Sequence, residues 1–451
     1  MSTAVPGQST ASSYDNSVTP PPTDPQQQPE SADEETQEEQ LPTLSLGKKL
    51  FFSAILFVLM AAVLEFSAST YLKLTRGYDG KHLYEFEFDP YKNILPARNF
   101  VDTRGVRHNS VGFRRATEVS VAKPANSYRI FVMGGSAAYG TGGLWPHLQR
   151  DFAVIPNDKT IDAFLEKKLA GELPAGTKVE VINAAITSTW THHHLIYLNQ
   201  SILKYDPDMV LFLDGFNDML WANPGHDQFG SYLYNTQASD ILGDPSIGAL
   251  VSANGWWWYR KSAFVHVTIR ALRNLKLILT TPRETERHPM DVDKSVANLQ
   301  QVFPTNALKM HRRIGLILRD ENVHPVFMLQ PMLILERGKK PMSGPEQKLF
   351  EFNVSSYLPN YEQFAHRSTD FIKERERQMA ADVGGQFLDL TGIYDGVEQQ
   401  IFTDYCHLTP LGNEILANYV AGQILPTIRS DLARRQQTPA APALPAARAA
   451  D

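Results

Sequence analysis

Three short stretches of this chain carry residue types that can do chemistry together. In FVMGGSAAYG (131–140) an apolar run of strand length ends in Gly134-Gly135 and meets Ser136. Glycines permit a tight strand-to-helix turn, which leaves Ser136 exposed at the carboxyl end of a sheet, where open α/β sheets bind ligands. The helix that follows would aim its positive end at the same place. A serine hydroxyl becomes a nucleophile only when a base takes its proton. In FTDYCHLTPLGNEILA (402–417), Asp404 and His407 stand three residues apart at the entry to a helix. That spacing lets the carboxylate reach the imidazole, fix its tautomer and stabilise its protonated form. The other ring nitrogen is then free to accept the proton of Ser136. In LDGFNDML (213–220) a strand ends in Gly215, followed by Asn217-Asp218. The Asn217 amide is a donor for a developing oxyanion. Each stretch has an ordinary structural reading: an N-capping serine, an Asx turn, an aspartate cap beside a surface histidine. Three such turns at strand or helix edges in one chain favour the chemical reading.

Other features tempt in the same way. His192-His193-His194 looks like a metal cluster. Consecutive helical residues point in different directions, so these three are expected not to share an ion. Trp256-Trp257-Trp258 has the composition of a sugar or membrane contact, and core or cap packing is the expected role. Cys406 adjoins His407, and its neighbour's position turns it away from the site, so packing is expected there too.

The elements that must hold these residues are legible as apolar runs. YRIFVM (128–133), VEVIN (179–183), MVLFLD (209–214), PVFMLQ (325–330) and QFLDL (386–390) have strand length. Runs apolar on both faces suit a parallel sheet covered by helices. IDAFLEKKL (161–169) and LTPLGNEILANYVAGQIL (408–425) show helical spacing. Alternation of strands and helices predicts βαβ units, hence a three-layer α/β/α sandwich on a parallel five-stranded sheet of the flavodoxin-like kind. About 100 residues separate the third and fourth runs, more than one crossover needs. Residues 222–300 are therefore expected to form an inserted cap or lid, with a basic helical stretch around Arg270 to Lys276.

The chain has 451 residues with 43% hydrophobic content, enough for a large core. Its formal net charge is -6. Residues 1–45 hold eight acidic groups and no Lys or Arg, so subtracting -8 leaves +2 for the rest. A near-neutral body carries no nucleic-acid footprint. One cysteine permits no internal disulfide and says nothing about compartment. Residues 1–45 are rich in Pro, Gln, Ser, Thr and Glu and are expected to be disordered, as is the Ala/Pro-rich 436–451 tail. Between tail and body, LFFSAILFVLMAAVL (50–64) follows Lys48-Lys49 and continues to Leu72. A bilayer span needs about 20 residues, so 46–72 is expected to be a transmembrane anchor with Glu65 near one interface. A signal peptide would carry a much shorter leading region. Lys and Arg flank both ends, so charge does not decide orientation. The expected order is thus tail, anchor, a 73–127 lead-in segment, a 128–435 domain with its insertion, and tail.

Over residues 128–425 the sequence resembles the SGNH (GDSL-type) hydrolases. Gly134-Gly135-Ser136 matches that family's first block, NAAITST (183–189) its second, Gly215-x-Asn217-Asp218 its third and Asp404-x-x-His407 its fourth, in the family's order. NSVGFRR (109–115) and the span ending in Glu65 are similar to membrane-anchored members. Two positions depart from the pattern. Gly135 stands where the family usually has Asp, although anchored members often have Gly. Ser188 stands where the family usually has Gly, which keeps the backbone N–H but adds a side chain near the oxyanion. The resemblance implies a serine esterase: Ser136 as nucleophile, His407 as base, Asp404 orienting it. The implied oxyanion hole is the N–H groups of Ser136 and Ser188 with the Asn217 side chain. No cofactor and no metal is implied. With an anchor and an extracytoplasmic, periplasmic domain, the implied substrate is an O-acetylated envelope polysaccharide, and membrane lipid is the other partner. Transfer of the acyl group to a sugar hydroxyl would make the chain an O-acyltransferase. The rival of another class is a non-catalytic carbohydrate-binding or scaffold protein on the same fold.

Overall fold

A computed structural model describes residues 44–83, 85–89, 93–143, 152, 154–220, 261–280, 290–336, 339–352, 354 and 359–437. Nearly all of both expected tails, the three tryptophans 256–258, and 222–260 and 281–289 of the expected insertion lie outside the described residues. The chain divides into two units, Met1–Val58 and Leu59–Asp451. The described part of the first is helical from Leu46 onward.

Helix α1 runs Leu46–Arg76 without a proline or a buried apolar stripe along its first half. At 31 residues it is long and apolar enough to cross a membrane by length and composition. Near its C-terminal end Ala68 and Leu72 are buried against Ala263. Glu65 on the same helix accepts hydrogen bonds from Ser262 Oγ at 2.7 Å, Ala263 N at 2.6 Å and Phe264 N at 3.1 Å. A carboxylate thus caps the free N–H groups at the start of a later helix, as an N-terminal anion does.

Beyond α1, strands β1 (Phe86–Asp89) and β2 (Asn93–Pro96) form a small antiparallel pair. The main sheet begins with β3 (Ser127–Gly134), which leads into the short α2 (Ser136–Tyr139) and then α3 (Ile161–Glu172). It continues through β4 (Lys178–Asn183), α4 (Thr191–Tyr197), β5 (Met209–Asp214) and α5 (Phe216–Leu220). Then follow α6 (Ala263–Thr280), α7 (Val292–Val302), α8 (Ala307–Asp320) and β6 (His324–Leu329). Helices α9 (Gly344–Phe352) and α10 (Tyr361–Asp382), β7 (Gln386–Asp389) and α11 (Pro410–Gln437) complete the described elements.

The five strands β3 to β7 are parallel in the order β4-β3-β5-β6-β7. This is the three-layer arrangement expected from the runs, each strand found within two residues of its predicted bounds. Alternate strand residues supply two cores. Ile130, Val132 and Leu211 pack with Leu165, Leu169, Leu416 and Val420 of α3 and α11. Phe131, Met133 and Phe212 pack on the other face with Ile314, Leu318 and Met379 of α8 and α10. Each such fully buried side chain contributes about 1.5–3 kcal/mol. The order reverses direction at β3: the chain goes first to β4 on one side, then to β5 on the other. Crevices at the carboxyl ends of such a switch point are where doubly wound sheets take ligands.

Candidate active site

Ser136 begins α2 directly after the switch-point strand. Gly134 adopts φ 147°. A Cβ there would run into the Leu213 carbonyl oxygen and approach Ala138 Cβ to 2.7 Å, so only glycine lets β3 end this close to β5. The next position is glycine for another reason. A Cβ at 135 would meet Asn217 Nδ2 at 2.8 Å and the Thr189 carbonyl at 3.3 Å. The space an aspartate side chain would need is taken by the Asn217 amide, which accounts physically for Gly135.

The turn after Ser136 is held from outside. Arg114 is buried and donates to the carbonyls of Tyr139 at 2.6 Å and Gly140 at 2.9 Å, with its cation 4.4 Å from the Tyr139 ring centre. Asn183 Nδ2, at the end of β4, reaches Ala138 O at 3.2 Å, Tyr139 O at 3.3 Å and Asp162 Oδ1 at 2.8 Å. Burial pushes the Asp162 carboxyl up to about 6, against the pull of Thr160, Asn183 and Arg114.

Asp404 and His407 meet as their spacing suggests. Asp404 Oδ2 lies 2.7 Å from His407 Nδ1, and both side chains are almost wholly buried. The other carboxylate oxygen accepts from the backbone N–H of Cys406 at 3.0 Å and of His407 at 2.9 Å. With Nδ1 donating to the carboxylate, Nε2 carries the lone pair. Nε2 is buried and, among the described residues, hydrogen-bonds to no protein atom. Among the described residues, Asp404, Cys406 and His407 are a group with the spacing to share a metal ion. Their ligand atoms are otherwise engaged: the imidazole and carboxylate bond each other, and burial raises the Cys406 thiol well above its ordinary value. A neutral thiol is a poor ligand and a poor nucleophile. Cys406 Sγ lies 3.9 Å from Nδ1 and belongs to the core.

One cavity of about 330 Å³ is lined by Ser136, Ser188, Asn217 and His407 together. That is the lower end of the range for small-molecule sites. Ser188 has φ 58°. A non-glycine residue there costs on the order of 1 kcal/mol, which is the strain that a glycine would avoid. Asn217 Nδ2 donates one hydrogen to the Thr189 carbonyl at 2.7 Å. A primary amide has two N–H donors, so a second remains.

The sequence reading missed the opposite wall. Glu85, Phe86, Arg104 and Val106, all from the lead-in segment, line the same cavity with Tyr139 and Tyr405. The Tyr139 hydroxyl stands 2.7 Å from His108 Nε2 and 2.6 Å from Glu85 Oε1, and burial lowers His108 to about 3. The one signal was Arg114 inside NSVGFRR, a charge in a stretch that otherwise reads as loop. The three adjacent histidines engage different surroundings: His193 stacks edge-on against Trp190 at 4.4 Å, while His194 Nδ1 is 3.2 Å from Asp214 Oδ2.

No protein-family model matches the chain, and no curated protein matches it. Solved structures are similar to it at low identity and low TM-score. A catalytic mutant of an acetylxylan esterase from Geobacillus stearothermophilus is 12% identical, covering 66% of this chain and 94% of its own, with TM-score 0.32. The extracellular lipase of Streptomyces rimosus is 13% identical over 66% of this chain and 99% of its own, with TM-score 0.34. A lipase/acylhydrolase from Enterococcus faecalis is 16% identical over 66% of this chain and 95% of its own, with TM-score 0.32.

Proposed function

We propose that the chain is a serine esterase in which Ser136, His407 and Asp404 act as one unit. The observation that carries this reading is the unpartnered Nε2 of His407, buried at the wall of the cavity that Ser136 also lines, with Nδ1 held by Asp404. In the mechanism, Nε2 takes the hydroxyl proton as Ser136 Oγ attacks the ester carbonyl. The oxyanion is bound by the N–H groups of Ser136 and Ser188 and by the free N–H of Asn217. The imidazolium returns its proton to the leaving alcohol, and a water activated by the same nitrogen releases the acyl group. Asp404 stays ionised and stabilises the imidazolium between the two steps.

The substrate we propose is an O-acetylated envelope polysaccharide. The test is a screen of the purified full chain in detergent against aryl acetates, longer aryl esters and acetylated oligosaccharides. Release of acetate from the sugar at a higher kcat/KM than from longer esters is the expected result. Transfer of acetyl to an added sugar, with little free acetate, would make the chain an O-acyltransferase instead. No turnover of any ester by folded protein would leave the carbohydrate-binding reading in its place.

We also propose that α1 anchors the protein, with the 128–435 domain outside the cytoplasm. Such a position would give the cavity access to envelope polysaccharide. Membrane fractions washed at alkaline pH should retain the protein, and protease added to cells with a permeabilised outer membrane should digest the domain. A domain digested only after inner-membrane lysis would reverse the orientation.

A further inference from the structure

Two of the three proposed oxyanion donors, Ser188 N–H and Asn217 Nδ2, lie on the loop after β4 and on α5, which follows β5. Those strands are not neighbours, because β3 runs between them. No ladder of sheet hydrogen bonds therefore fixes the distance between the two segments, which the Asn217 amide itself spans by donating to the Thr189 carbonyl at 2.7 Å. Ser188 also holds a left-handed backbone, a conformation that persists only where the surroundings over-determine it.

The two segments are joined further by a set of buried side chains. Thr191, three residues after Ser188, donates from Oγ1 to Asp218 Oδ1 at 2.6 Å, and both side chains are buried. His194, one turn further along α4, sits between Thr189 Oγ1 at 3.4 Å and Asp214 Oδ2 at 3.2 Å. Asp214 ends β5, and Asp218 follows Asn217. Helix α4 is thus tied at both its first and its second turn to the segment that carries Asn217. The Asp214 end is braced again from α8, where His311 Nε2 lies 3.3 Å from it, and His311 Nδ1 is backed by Glu376 Oε1 of α10 at 2.8 Å. Burial alone would depress His311, but the flanking Glu376 and Asp214 carboxylates hold it well above its ordinary value. The His311 imidazole is thus held between the two carboxylates.

We propose that Thr191 and Asp218, with His194 nearby, are positioning residues that, together with the Asn217–Thr189 bond, hold the separation of the Ser188 and Asn217 donors. None of the three lines the cavity. They act through those two segments, and the inference rests on the oxyanion role given to those donors above. Geometric errors near 1 Å at a reacting centre cost on the order of 10²-fold in rate, so the ties matter to turnover more than to substrate capture.

The test uses the full chain with an aryl acetate. Thr191→Val removes the hydroxyl and keeps the shape. It should lower kcat roughly 10- to 100-fold with KM within about two-fold of wild type. Thr191→Ser keeps the donor and should restore most of kcat. If Thr191 acts through Asn217, adding Thr191→Val to Asn217→Ala should change kcat little beyond Asn217→Ala alone. A general structural role would instead multiply the two losses, and that outcome overturns the proposal, as does wild-type kcat in folded Thr191→Val. Should the valine variant not fold, Thr191→Ala carries the same comparison. A wild type that turns over no ester would remove the esterase reading and this inference together. Active wild type with an unaffected Thr191→Val removes this inference alone.

Discussion

Ser136→Ala should lower turnover of any true ester substrate by roughly 10⁴- to 10⁶-fold and leave the fold intact. The half-buried Ser136 side chain loses one oxygen, so packing changes little. What is lost is the covalent path, and the residual rate comes from the oxyanion donors and binding alone. His407→Ala should be as severe, because without Nε2 the hydroxyl keeps its proton. The double variant should be little worse than either single one, since each removes the same step. Steady-state kinetics on the three purified proteins checks this. Losses that multiply in the double variant would show that Ser136 and His407 do not act together.

Asp404→Asn should lower kcat by about 10⁴-fold, and the direction follows from the hydrogen bonds around the carboxylate. One oxygen accepts from the N–H groups of Cys406 and His407 at 3.0 and 2.9 Å. Those two donors will hold the amide oxygen of an asparagine in the same place. Its NH₂ then faces His407 Nδ1 and donates to it. The imidazole must accept there, so its hydrogen moves to Nε2, the nitrogen proposed to take the Ser136 proton. The variant keeps volume and both backbone bonds and reverses the direction of the bond to Nδ1, so its thermal midpoint should stay near that of wild type while turnover collapses. A folded Asp404→Asn enzyme within ten-fold of wild-type kcat would mean that the tautomer of His407 is not what Asp404 contributes.

The sheet was legible because its strands are apolar on both faces. MVLFLD (209–214) has no other way to bury Val210 and Phe212 on one side and Leu211 and Leu213 on the other. Asp404 and His407 were legible as a pair because three residues of separation at a helix entry fix their reach locally. Ser136, Ser188 and Asn217 were picked out by block order. That they line one cavity depends on strand order, which local spacing does not encode. The lead-in wall was not legible for the same reason: Glu85 and Arg104 carry no periodic signal and reach the cavity through tertiary packing. The tie between Thr191 and Asp218 spans 27 residues from α4 across β5 to α5, and although Asp218 belongs to the third block, nothing local pairs it with Thr191. His194 was read only as part of a histidine run, whereas its contact with Asp214 sets it apart from its neighbours.

The most direct measurement is covalent labelling of the folded wild-type chain by a fluorophosphonate, with the adduct located by mass spectrometry. An activated serine attacks the phosphorus and stays bound to it, whatever the natural acyl group is. The account predicts one adduct, on Ser136, absent from Ser136→Ala and strongly slowed in His407→Ala. An adduct that persists in Ser136→Ala, one located on Cys406, or no adduct at all in folded wild type would contradict it.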